Sequence, residues 1–147
     1  LLSYWQSREG KPFTSPRASI YGPKVMIVNE YAGSGGDALP HFFRRRNMGT
    51  IVGKRTWGGL VGISGYPSLM DGGSVTSPSF GIYSPDGKWE VENVGVAPDI
   101  EVEMDPKACV GGKDPQLEKS IEVVMEQLKK NPVKAMPAPK PDTRARD

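Results

Sequence analysis

The sequence is poor in the residues from which most metal and catalytic sites are made. Of 147 residues one is cysteine, Cys109, and one is histidine, His41. A lone cysteine excludes an internal disulfide and any zinc site built on paired thiolates, and neither a metal nor another cofactor is expected. No apolar run approaches the roughly 20 residues that span a bilayer, and no signal-peptide pattern opens the chain, so no membrane partner is expected. Charge of one sign is lacking as well: 19 Lys and Arg against 17 Asp and Glu leave a formal +2. Such a balance gives no global attraction to nucleic acid. A cytoplasmic location is the expectation. The length fits one domain with one core, and a first residue that is Leu1 rather than Met suggests a piece of a longer polypeptide.

What is present is a strand-to-helix corner. Val25-Met-Ile-Val reads as a buried strand that stops at Asn29-Glu30 and turns through Ser34-Gly-Gly into a helix. Glycines let the backbone bend and approach a ligand, and the first amides of the helix point outward without intrahelical partners. Those amides favour negative charge. Ser34 therefore has two readings, a nucleophile beside an oxyanion site or the N-cap of an ordinary Gly-rich turn.

Around this corner the chain divides into an extension over 1–19, a core over 20–130 and a tail over 131–147. The extension carries Trp5 among polar residues and reads as a short helical end and a loop. After Ser34, Leu39, Phe42 and Phe43 fall on one side of a helix. Pro40 is tolerated only in an opening turn, so helical bonding is expected to begin near Gly36 or Asp37. Arg44-Arg-Arg46 reads as a solvated helix end near the C-terminal dipole. Thr50-Ile-Val-Gly-Lys54 is the next strand, which makes a βαβ unit with a parallel pair. From Leu60 to Asp99 the helical period gives way to turn signals, including the hairpin triplet Pro85-Asp-Gly87, and the segment reads as predominantly β. Ile100-Glu-Val-Glu103 alternates and ends the sheet. A last helix starts at the N-cap Asp114 with Pro115 in its first position, and Leu117, Ile121, Val124 and Leu128 form its apolar stripe. Beyond Asn131 the prolines describe an extended tail.

Three segments in order, Asn29-Glu-Tyr-Ala-Gly-Ser-Gly-Gly-Asp37, Gly53-Lys-Arg-Thr-Trp-Gly-Gly59 and Glu92-Asn-Val-Gly-Val-Ala-Pro-Asp99, resemble the tail-specific, carboxyl-terminal-processing peptidase family, nearest to its tricorn branch. The resemblance runs from about Val25 to Leu128. It implies an α/β fold with a Clp protease and crotonase-like core, with Ser34 as nucleophile. In the processing branch the base is a lysine in a Thr-Phe-Gly-Lys-Gly loop. Here that loop is Thr56-Trp-Gly-Gly-Leu60, and Gly59 holds the lysine position, which excludes a serine–lysine dyad there. Lys54 lies before the loop and reads as an exposed strand-end charge.

The tricorn branch implies instead a Ser/His/Ser/Glu arrangement, in which the glutamate maps onto Glu92 and orients the histidine through a second serine. Strand alternation places Glu90 on the same face, as the neighbouring candidate. His41 lies roughly 10 Å from Ser34 along a helix rising 1.5 Å per residue, beyond the roughly 3 Å of a proton transfer. It is expected to cap or pack on its helix. The resemblance therefore implies that the histidine and second serine come from an upstream subdomain, which becomes the expected partner alongside a peptide substrate and a possible second copy of the chain. A serine without a base is a weak nucleophile, so this piece alone is expected to be inactive. Gly35 N–H, directly after Ser34, is the expected oxyanion donor. Gly58, Gly59, Gly62 and Ile63 are the expected edge for an extended peptide. A non-catalytic peptide-binding or assembly module of the same fold is the alternative. An acyl-CoA enzyme ranks last, because it leaves Ser34 and Glu92 without a role.

Overall fold

The computed structural model describes residues 1–64, 67–134 and 137–140. Its centre is a parallel sheet of β3 (Val25–Val28), β4 (Thr50–Gly53) and β7 (Ile100–Glu101), in the order β3-β4-β7. The register pairs Val25 with Thr50 and Val28 with Gly53, and then Val52 with Ile100. A helix, α1 (Gly35–Arg45), makes the crossover from β3 to β4. The chain is thus a mixed α/β protein, and the expected βαβ unit is present.

Alternation along the strands assigns the two faces. Val28 and Ile51 share a core cluster with Phe43 of α1, joined by Leu60, Val91 and Val96, with Met26 packed against it. Residues of the opposite parity face the C-terminal helix α3 (Pro115–Lys130), whose Gln127 Nε2 donates to Thr50 Oγ1 at 2.8 Å. The central strand is therefore covered on both sides, which suits the fully buried Ile51 and Val52, whereas β3, expected as a buried strand, lies at the sheet edge with Val28 buried and Ile27 exposed.

Several expectations are corrected. Residues 3–15 form a two-stranded antiparallel hairpin, β1 (Ser3–Trp5) with β2 (Phe13–Ser15), and not a helical end. Tyr4, Trp5, Phe13 and Thr14 are strand formers, and Trp5 faces Phe13 with ring centroids 5.9 Å apart. Helix α1 begins at Gly35 and carries Pro40 inside it, buried against the core. The segment from Leu60 to Glu103 is mostly irregular, with β5 (Val61–Gly62), β6 (Phe80–Gly81) and β7 as its strands among the described residues. The Pro85-Asp-Gly87 turn forms, with Ser84 N–H donating to Lys88 O at 2.9 Å, but no ladder extends from it.

A short helix α2 (Pro106–Val110) precedes α3. In α3 the Asp114 cap accepts from Leu117 N–H as expected. Its buried side is Gln116 and Ser120, with Val124 and Leu128 half-buried, whereas Leu117 and Ile121 of the expected stripe are exposed. Polar anchors rotate the helix: Gln116 donates to Val102 O and Gln127 to Thr50. Of the proline-rich tail, Ala135, Met136 and 141–147 lie outside the described residues. Residues 131–134 and 137–140 are exposed, without helix or strand.

Candidate active site

The corner after β3 is built from backbone bonds. Asn29 Oδ1 accepts from Tyr31 N–H and Asn29 O from Ala32 N–H, which ends the strand in a tight turn. Ser34 then takes φ 54° and ψ −110°, a conformation natural to glycine and costly for a residue with a Cβ, on the order of 1–3 kcal/mol. Ser34 sits at the N-cap position, yet its hydroxyl accepts no capping bond. The first turn satisfies itself instead, with Gly36 N–H on Gly33 O at 2.8 Å and Asp37 and Ala38 N–H on Ser34 O at 3.0 and 2.9 Å. Gly35 N–H has no hydrogen-bond partner among the described residues, and a Cβ built on Gly35 meets nothing within 4 Å. Ser34 and Gly35 are both exposed. A free hydroxyl and a free amide therefore share one open corner.

The loop 56–60 lies beside it. Ser34 N–H donates to Gly59 O at 3.0 Å, and Trp57 N–H to Ala32 O at 2.9 Å. Three successive amides of this loop end on carboxylates: Gly58 and Gly59 on Asp37 Oδ1 and Oδ2 at 2.8 and 3.1 Å, and Leu60 on Glu92 Oε2. Asp37 is fully buried. The Trp57 ring lies across Gly33 and Gly59, where an added Cβ would come within 2.5 and 2.6 Å of it. That contact requires both glycines. Thr56, also fully buried, closes the far end by accepting Val96 N–H at Oγ1, 2.8 Å away.

Glu92 thus reaches the loop that holds Ser34. Glu90 does not share its direction: residues 88–95 are irregular rather than a strand, so alternation does not apply, and Glu90 turns to α1. There it meets His41 Nε2 at 3.3 Å and Arg45 Nη1 at 3.0 Å. The three line a groove of about 550 Å³ whose wall includes Phe42, Leu60 and Tyr83. His41, the single histidine, is committed to that groove and not to Ser34. Arg44 is tied down too, donating to Ala97 O and Asp99 Oδ1, so the arginine run is only partly the free helix end expected.

Lys54 pairs with Glu101 at 2.6 Å and Glu103 at 2.7 Å, and these bonds hold its ammonium well above the ordinary lysine range. Gly62 lies in β5, whose pairing with β6 puts the Phe80 ring over it, and its carbonyl accepts Ser79 N–H at 2.7 Å. Ile63 next to it is exposed. Asp37 is the site residue that the sequence did not single out. Its signal was a carboxylate three residues after Ser34, opposite a Gly-Gly pair with amides to satisfy. Among the described residues no group of three or more His, Cys, Asp or Glu has the arrangement to hold a metal ion, and no helix is long and apolar enough to cross a membrane.

An α/β unit that leaves a serine hydroxyl on a strained strand-to-helix corner beside an open amide has the local architecture of a hydrolase. The comparison with known proteins is specific: the model of peptidase family S41 matches residues 3–102, and the chain belongs to that family. It is 40% identical over 127 residues to a putative tricorn-like protease C-terminal subunit of Sulfurisphaera tokodaii, across 86% of this chain and 15% of that protein. It is 42% identical over 129 residues to the tricorn protease of Thermoplasma volcanium, across 88% of this chain and 12% of that protein. The crystal structure of the tricorn protease superposes with a TM-score of 0.79 at 40% identity, over 87% of this chain and 12% of that one. Mature CPAF shares the fold, with a TM-score of 0.58 at 24% identity over 76% of this chain and 21% of that one. The chain spans a small part, 11 to 15%, of the tricorn relatives it matches.

Proposed function

We propose that this chain is the nucleophile-bearing half of a serine peptidase catalytic unit and cleaves peptides through an acyl-enzyme on Ser34. The observation that carries the reading is the exposed Ser34 hydroxyl, unused for capping, beside the unpartnered Gly35 amide. In the reaction Ser34 Oγ attacks the scissile carbonyl carbon and passes its proton to a base. The carbonyl oxygen becomes an oxyanion that accepts Gly35 N–H. Collapse of the intermediate expels the amine, which takes that proton, and leaves an ester on Ser34. Water, deprotonated by the same base, then releases the acid.

The base comes from outside this chain, because His41 is turned toward Glu90. Its source is an upstream subdomain that brings a histidine and a second serine, with Glu92 as the carboxylate orienting that pair. The small share of the relatives that the chain covers supports this division. Gly58 and Gly59 drop out of the expected peptide edge, because their amides end on Asp37 and their carbonyls accept Asn93 and Ser34 N–H. Gly62 O is taken by Ser79 N–H, and Ile63 is the position of that stretch left to meet an extended peptide. The core over 20–130 has the Clp protease and crotonase type of fold, and the location is cytoplasmic. A second copy of the chain belongs to the same proposal as a partner.

Fluorophosphonate labelling of the intact polypeptide tests the reading. The adduct is expected on Ser34, with no hydrolysis by this chain alone. An adduct on another residue, or hydrolysis that persists in Ser34→Ala, rejects it.

A further inference from the structure

The buried carboxylate of Asp37 has no part in the acyl transfer described above, yet it closes a ring around the corner. Ser34 N–H donates to Gly59 O at 3.0 Å, Gly59 N–H donates to Asp37 Oδ2 at 3.1 Å, and Asp37 N–H returns to Ser34 O at 3.0 Å. The other oxygen of Asp37 takes Gly58 N–H at 2.8 Å. A carboxylate in the first turn of a helix ordinarily serves its own N-terminus. This one is fully buried and spends both oxygens on a different loop. Taking a carboxylate out of water is costly unless it is fully bonded, and here the bonding fixes the peptide from which Ser34 hangs.

We infer that Asp37 is a positioning residue for the nucleophile: through the Gly58-Gly59 turn it holds Ser34 at its strained φ of 54°, and so fixes the relation of the hydroxyl to the Gly35 amide. The inference rests on the reading of Ser34 as nucleophile. A conformation in a sparsely occupied region persists only where its surroundings over-determine it, and the ring supplies two of the constraints. Glycine at both loop positions fits the arrangement. Gly58 has φ 88° and lies against Gly95 N, and Gly59 lies under Trp57.

The test is Asp37→Asn in the intact polypeptide, with Asp37→Glu and Ser34→Ala beside it. Asn presents an NH2 to an amide that needs an acceptor, and Glu keeps both acceptors but moves them by one methylene. Per active site, counted by covalent titration, Asp37→Asn is expected to lower kcat about 100-fold, the scale of an ångström's misplacement, with KM within about threefold, since uniform binding is not what is lost. Fluorophosphonate labelling slows in parallel, and Asp37→Glu falls between. A variant that melts earlier but keeps wild-type kcat per titrated site makes Asp37 a fold staple and overturns the inference. If Asp37→Asn does not fold, Asp37→Glu decides: a lowered kcat per titrated site with KM within about threefold supports the inference, and wild-type kcat per titrated site overturns it. Labelling that survives Ser34→Ala defeats the nucleophile reading itself. Labelling lost in Ser34→Ala but unchanged in Asp37→Asn defeats only the role of Asp37.

Discussion

Ser34 hangs from Gly59: its backbone N–H meets the Gly59 carbonyl at 3.0 Å, which ties the corner to the loop 56–60. The bond holds a residue with a Cβ at φ 54°. Glycine relieves such strain, whereas alanine keeps it. Ser34→Gly is therefore expected to be more stable than Ser34→Ala by about 1 kcal/mol, although both lack the hydroxyl. Urea midpoints of the two variants check this. Equal midpoints mean that the backbone relaxes once the serine is gone.

Glu92 is the second support of the same loop, through Leu60 N–H. Removing a charged acceptor from a half-buried amide costs about 1.5–3 kcal/mol. Glu92→Ala is expected to lose that much, while Glu92→Gln, which keeps an acceptor oxygen, loses less than about 1 kcal/mol. Activity in the intact polypeptide separates the clip from the chemistry. Under the proposed role Glu92→Gln keeps its stability and loses activity, and a fully active Glu92→Gln leaves Glu92 as a clip alone.

The parts of this architecture that were legible in the sequence are local. Val25–Val28 announced itself by a short apolar run, the start of α3 by Asp114-Pro115, and the corner by Ser34 between glycines. What was not legible depends on distant partners. Leu117 and Ile121 matched a helical stripe, but Gln116 and Gln127 found acceptors at Val102 and Thr50 and turned the helix by them. Glu90 and Glu92 sat two apart, as on one face of a strand, until Asn93 at φ 60° and Gly95 at φ 71° made the segment a turn. Asp37 was not singled out because its partners lie 21 and 22 residues away. Tertiary hydrogen bonds, invisible to periodicity, decided each of these.

The rotated α3 leaves one polar atom stranded. Ser120 is buried, and its hydroxyl has no hydrogen-bond partner among the described residues. Burying a hydroxyl without compensation costs about 1–3 kcal/mol, and serine is also the poorer helix former. Ser120→Ala is expected to raise stability by about 1 kcal/mol, read as a higher thermal midpoint. A lower midpoint means that the hydroxyl is satisfied in solution.

The last prediction concerns pH and the end of the sheet, where Lys54 faces Glu101 and Glu103. The hydrogen bond from Lys54, and secondarily its charge, holds Glu101 below the ordinary carboxylate value. Bonds to Glu101 and Glu103 hold Lys54 above the ordinary lysine value. A lowered carboxylate contributes stability that is present above its unfolded pKa and is lost as pH falls through its folded value. A raised lysine contributes stability that is present below its unfolded pKa and is lost as pH rises through its folded value. The pair thus favours the folded state across the neutral range and weakens at both extremes. Both glutamates are largely exposed, so the effect is small and screened by salt. Lys54→Met is expected to flatten the acid limb of the stability curve at low ionic strength. The two curves should converge near 1 M salt, where the screening length is about 3 Å. Acid limbs of equal slope in the two proteins at low salt contradict a native-state pairing at Lys54.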